Sequence, residues 1–162
     1  MGSGKTTIGS ILSKKLNFRF VDLDEYLEKE EKRSIDDIFT DEGEDFFRDK
    51  ESYYLQELLL KSKNVVLSTG GGIVIRNENR SLLRKYSFVI YLKGDFDILI
   101  GRLENTQEKN KRPLLKKSRE ELYELWKYRS NLYENTAHLV IGVDNKIPFQ
   151  IVEEIINAYE KL

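Results

Sequence analysis

The sequence predicts an α/β fold built on a parallel sheet, and three observations predict it. Strand-like apolar runs alternate with helical patterns along all 162 residues. The runs are apolar throughout rather than alternately polar, which is the pattern of strands covered by helices on both faces. A glycine-rich segment, Gly2-Ser3-Gly4-Lys5-Thr6-Thr7, opens directly into an amphipathic helix, as phosphate-binding loops do.

The elements follow in order. Lys5 to Leu16 predicts a helix with Ile8, Ile11, Leu12 and Leu16 on one face. Phe18 to Val21 predicts a short strand ending at Asp22, and Asp24 to Glu31 a charged helix. Ser34 is a good N-cap for a helix carrying Ile35, Ile38 and Phe39, and Gly43 breaks that helix. A longer helix from about Glu44 to Ser62 presents Phe47, Tyr54, Leu55, Leu58 and Leu59. Asn64 to Ser68 is a strand running into Thr69-Gly70-Gly71-Gly72. Helix resumes at Asn77 to Lys85, Phe88 to Leu92 is another strand, and Asp95 to Glu104 is helical. The polar, lysine-rich stretch around Pro113, about residues 105–118, predicts a mobile lid loop. Arg119 to Asn135 is helix and His138 to Val143 a strand. Pro148 to Leu162 is the closing helix, with proline favoured in its first turn. A fifth strand, with the first glycine of the phosphate-loop motif, is expected ahead of Met1.

Bulk properties narrow the function classes. A chain of 162 residues is expected to form one domain, spanning 1–162. A net charge of −1 supplies no basic field for nucleic acid. The absence of cysteine excludes disulfides and thiolate metal sites. No apolar run approaches the roughly 20 residues that span a bilayer, and no signal-peptide pattern is present. A cytoplasmic monomer without nucleic-acid or membrane partners is the expectation.

The motifs carry the chemistry. Gly2-Ser3-Gly4-Lys5-Thr6 matches the back of G-x-x-x-x-G-K-[ST]: backbone amides and Lys5 suit phosphates, and the Thr6 hydroxyl suits Mg²⁺. The bland alternative is a flexible Gly/Ser terminus. Asp22 and Asp24 end the next strand, where ligands of open α/β sheets bind. One carboxylate can steer Mg²⁺ and the other face an acceptor hydroxyl, although Asp at a helix start is often just a cap. Gly70-Gly71-Gly72 offers backbone donors to a small ligand, or is a plain turn. Arg48, Arg112 and Arg129 are candidate anion ligands, because guanidinium pairs bidentately with carboxylate and phosphate. Taken singly, each reads as a solvated surface arginine. His138, the one histidine, heads a strand and reads as structural, and Trp126 reads as a packed helix face.

Together these residues closely resemble the shikimate kinase family. The resemblance rests on Gly-Ser-Gly-Lys-Thr-Thr, Asp22-x-Asp24, Ser34-Ile35-x-x-Ile38-Phe39, Gly43-Glu44-x-x-Phe47-Arg48, Gly70-Gly71-Gly72, Arg112-Pro113-Leu114-Leu115 and Arg129-x-x-Leu132-Tyr133. It implies a three-layer α/β/α P-loop kinase fold with sheet order 2-3-1-4-5, strand 1 being the one expected ahead of Met1. It implies phosphorylation of the 3-hydroxyl of shikimate by ATP with Mg²⁺, in aromatic amino-acid biosynthesis. By position, Gly2, Ser3, Gly4, Lys5, Thr6 and Thr7 would hold phosphates, and Thr6 and Asp22 the metal. Lys5, Asp24 and Arg112 would be catalytic, with Asp24 the base and Arg112 closing on the transferring phosphate. Arg48 and Arg129 would clamp the shikimate carboxylate. Asp24, Gly70, Gly71 and Gly72 would meet the ring hydroxyls. Arg102 and Pro148, with Arg112, would border the nucleotide. The competing readings are another small-molecule kinase, such as a gluconate or nucleoside monophosphate kinase, and a non-catalytic relative of the family.

Overall fold

The computed structural model describes residues 2–104 and 117–161. The element order is α1 (Lys5–Leu16), β1 (Arg19–Asp22), α2 (Leu23–Glu31), α3 (Ile35–Lys61), β2 (Val65–Ser68), α4 (Asn77–Tyr86), β3 (Ile90–Lys93), α5 (Phe96–Glu104), α6 (Arg119–Thr136), β4 (Leu139–Gly142) and α7 (Pro148–Tyr159). Apart from Lys117 and Ser118, the expected lid lies outside the described residues, and so does Arg112.

Local chemistry explains where the helices begin and end. Gly4 stands at the start of α1 in the left-handed region, at φ 80°. Asn17 ends α1 in the same region and returns its N–H to the Ser13 and Lys14 carbonyls. The Asp22 side chain accepts the Asp24 N–H and caps α2. Ser34 and Asp37 form a reciprocal capping box at the start of α3, and Ser118 and Glu121 do the same for α6. The break expected at Gly43 is a kink within α3, where that residue takes φ 83° and ψ 179°. Pro148 stands in the first turn of α7.

The strands pair in parallel, β1 with β2 from Arg19↔Val65 to Asp22↔Ser68, and β3 with β4 from Ile90↔Leu139 to Lys93↔Gly142. These are separate two-stranded sheets, the two pairs that flank strand 1 in the expected order 2-3-1-4-5. A cavity of about 450 Å³, lined by Val66 and Leu67 of β2, Ile90 and Leu92 of β3, and Ile8 and Leu12 of α1, separates them. Both β2 and β3 line it and are not paired with each other. The cavity bears on one difference from the sequence reading. The apolar strands read as fully covered, yet most of their residues are half-buried, because the inner edges of β2 and β3 border this space.

Helices pack against the two pairs with separate cores. Leu23, Leu27, Ile38, Phe47, Leu55 and Leu58 bury α2 and α3 beside β1. Ile8, Leu12, Ile141, Val152 and Ile155 form the second core, in which α1 packs against α7 and β2, and α7 against β4. Among the described residues no helix is long and apolar enough to cross a membrane.

Candidate active site

The parallel pairing brings the chemistry to one end of the molecule. Asp22 and Ser68 are register partners, so the carboxyl ends of β1 and β2 lie side by side. The start of α1 meets them there. The Thr6 hydroxyl donates to Asp22 Oδ2 at 3.4 Å, and Asp22 Oδ1 holds the Asp24 N–H at 3.1 Å. Gly4, Thr6 and Thr7 are exposed at the helix N-terminus, where unpaired amides and the helix dipole favour an anion. Ser3 is buried beneath them. A side chain at Gly2 is excluded, since a Cβ there would stand 2.3 Å from the Leu99 carbonyl oxygen of α5. Thus α5 packs directly under the loop. One turn beyond Leu99, Arg102 donates to the Val143 carbonyl at 3.0 Å. This ties α5 to the end of β4, a few residues before Pro148 opens α7.

Asp24 sits in the first turn of α2, while Asp22 does the capping. Burial, then the neighbouring Asp22, raises the Asp24 pKa to about 6 against the opposing pull of Lys5. Its carboxylate faces the glycine turn: a Cβ on Gly70 would meet Asp24 Oδ1 at 2.9 Å and Glu51 Oε1 at 3.3 Å.

Across that turn stand two arginines from different helices. Arg48, on α3 just past the Gly43 kink, lies against Gly72 so closely that a Cβ there would fall 2.2 Å from its Nη1. Arg129, on α6, is 7% exposed, and a Cβ on Gly71 would lie 3.5 Å from its Nη1. Burial, with Arg48 among the other charges, lowers the Arg129 pKa, so the site holds like charges near one another. Arg129 Nε has no hydrogen-bond partner among the described residues. Arg48 also pairs with Glu44 at 3.2 Å, so the unmet donor is on Arg129, a group suited to a carboxylate or phosphate.

Sequence reasoning missed two residues here. Glu51 is 1% exposed, accepts from Arg48 Nη1 at 2.7 Å, and leaves its Oε1 unpartnered among the described residues. Its signal was available: Glu51 lies three residues after Arg48 and in register with buried Leu55 and Leu58, where a carboxylate needs a partner. Tyr133, part of the quoted pattern but given no role, donates its hydroxyl proton to the Gly71 carbonyl at 2.5 Å. That contact joins residues 62 apart in sequence, and no local pattern announces it. His138 stands apart from the site, its Nδ1 accepting the Val89 N–H at 3.0 Å. Trp126 packs against Phe96 and Tyr123.

Comparison with known proteins agrees with this geometry. A family model described as shikimate kinase matches residues 1–160. The shikimate kinase of Dictyoglomus turgidum is 54% identical over 159 residues, covering 96% of this chain and 92% of its own. That of Enterococcus faecalis is 45% identical over 163 residues, covering 99% and 95%. A solved structure of shikimate kinase from Acinetobacter baumannii in complex with shikimate aligns with a TM-score of 0.91 at 33% identity, covering 99% of this chain and 89% of that one. The chain belongs to the shikimate kinase family and is an ATP-using kinase.

Proposed function

We propose that this member of the family transfers the γ-phosphoryl group of ATP to the 3-hydroxyl of shikimate, a step of aromatic amino-acid biosynthesis, with residues 1–162 acting as one domain. The observation that carries the reading is the approach of Asp24, Arg129 and Arg48 to three successive glycines, Gly70, Gly71 and Gly72. A small polyol acid needs this arrangement, a cationic clamp for its carboxylate and an acceptor for its hydroxyls. A gluconate acceptor would meet the same clamp, and the match to shikimate kinases over nearly the whole chain is what favours shikimate.

Each residue then has a task. The amides of Gly2, Ser3, Gly4, Thr6 and Thr7, with the Lys5 ammonium, hold the phosphates of ATP. Arg102 and Pro148 border its base. Thr6 and Asp22 present paired oxygens at the mouth of the loop, a donor set that suits Mg²⁺, which keeps most of its waters and phosphate ligands. Bound with ATP, that ion neutralises phosphate charge. Arg48 and Arg129 fix the shikimate carboxylate, and the N–H groups of Gly71 and Gly72 orient the ring. Asp24 accepts the 3-hydroxyl proton as the oxygen bonds to the γ-phosphorus, and the bond to ADP breaks. Positioning and charge neutralisation account for most of the acceleration in phosphoryl transfer. Arg112, outside the described residues, belongs to the same proposal as the group that closes on the transferring phosphate.

The test is Arg48→Ala. Loss of the clamp is expected to raise the shikimate KM at least about tenfold, roughly 1.4 kcal/mol, and to leave the affinity for ATP unchanged. A smaller change in KM would show that Arg48 does not hold the carboxylate.

A further inference from the structure

We propose that Tyr133 is a positioning residue for the acceptor half of the site, orienting both the Gly71–Gly72 peptide and the Arg129 guanidinium through its hydroxyl group. The inference rests on the acceptor reading above. The Tyr133 hydroxyl donates to the Gly71 carbonyl at 2.5 Å and also bears on Arg129, one turn earlier on α6. A Cβ on Gly71 would lie 3.1 Å from the Tyr133 oxygen and 3.5 Å from Arg129 Nη1, so the three groups meet at one point.

The peptide geometry gives the contact its consequence. The Gly71 carbonyl and the Gly72 N–H belong to one planar trans peptide and point in opposite directions. Holding the carbonyl on Tyr133 turns the Gly72 N–H away from α6. Glycines turn easily about their own backbone, so this segment needs an external tie to keep one orientation. The tie is itself anchored: the Tyr133 ring packs on Tyr91 of β3, with centroids 5.0 Å apart. Burial raises the Tyr133 pKa to about 12, so the hydroxyl keeps its proton and remains a donor at neutral pH. One side chain thereby sets a backbone donor and a charged donor for the same substrate.

Tyr133→Phe tests this, with Tyr91→Phe as the control that removes a neighbouring phenol and keeps both rings packed. Both kinetics and calorimetric binding of shikimate are measured. Tyr133→Phe is expected to raise the shikimate KM and Kd about tenfold, with kcat and the ATP KM within about threefold of the parent. Tyr91→Phe is expected to change none of them. Shikimate affinity unchanged in Tyr133→Phe, or weakened equally in both variants, would overturn the positioning role and leave the acceptor assignment standing. A parent protein that binds ATP but not shikimate would overturn both.

Discussion

As the proposed base, Asp24 would favour catalysis and oppose folding. Its carboxyl group, lifted to about pH 6 by burial and by Asp22, ionises with difficulty in the folded protein. A base must be ionised to accept a proton, so kcat/KM for shikimate is expected to fall as pH drops below about 6. The sign for stability is opposite. The folded state holds this proton more tightly than the unfolded chain, so stability declines as pH rises from about 4 to about 6. Above that range the native state carries a cost on the order of 3 kcal/mol. Asp24→Asn should therefore cut kcat by about 10² to 10⁴ and raise the melting temperature near neutral pH. The gain should shrink in acid, and Asp22 still caps the helix. A melting temperature unchanged at neutral pH would show that Asp24 is not desolvated. Arg48 has the reverse character. Its removal strands the buried Glu51 carboxylate, and breaking such a pair typically costs about 3–5 kcal/mol. Arg48→Ala is expected to be unstable, and adding Glu51→Gln should restore the melting temperature without restoring shikimate binding. Recovery of binding in the double variant would remove Arg48 from the clamp.

At the scale of elements, Gly43 decides where the second half of α3 points. It takes φ 83° and an added Cβ would meet nothing within 4 Å, so the requirement for glycine lies in the backbone alone. Gly43→Ala is expected to destabilise by about 1–3 kcal/mol, since φ 83° with ψ 179° is a conformation essentially confined to glycine. It should also weaken shikimate binding, since Arg48 and Glu51 lie just beyond the kink; a melting curve and a shikimate titration check both. An unchanged melting temperature would mean that the kink tolerates a side chain. Gly43, the Ser34 cap, the Pro148 start and the apolar face of α1 were all legible in the sequence, because each is written in adjacent residues. The same holds for the phosphate loop and for Asp22 beside it. Glu51 was only half legible, as a carboxylate in an apolar register. Tyr133 and Gly71 were not legible as partners, because their contact is made by folding α6 onto the turn after β2.

For the whole molecule, the parallel pairs assemble two half-sites at one end. The proposed phosphate half draws on α1, the end of β1 and the α5–β4 corner. The acceptor half comes from α2, α3, α6 and the glycine turn. The α/β class and the identity of both strand pairs could be read from alternating elements and from the resemblance. Their separation was legible too, because the expected order 2-3-1-4-5 places strand 1, expected ahead of Met1, between them. The account stands on the acceptor half accepting phosphate, and phosphorus and proton NMR of the protein incubated with ATP, Mg²⁺ and shikimate tests that most directly. It predicts ADP and one phosphate ester on the 3-hydroxyl of shikimate, formed in equal amounts. ATP consumed without that ester, or no ATP consumed at all, would contradict it.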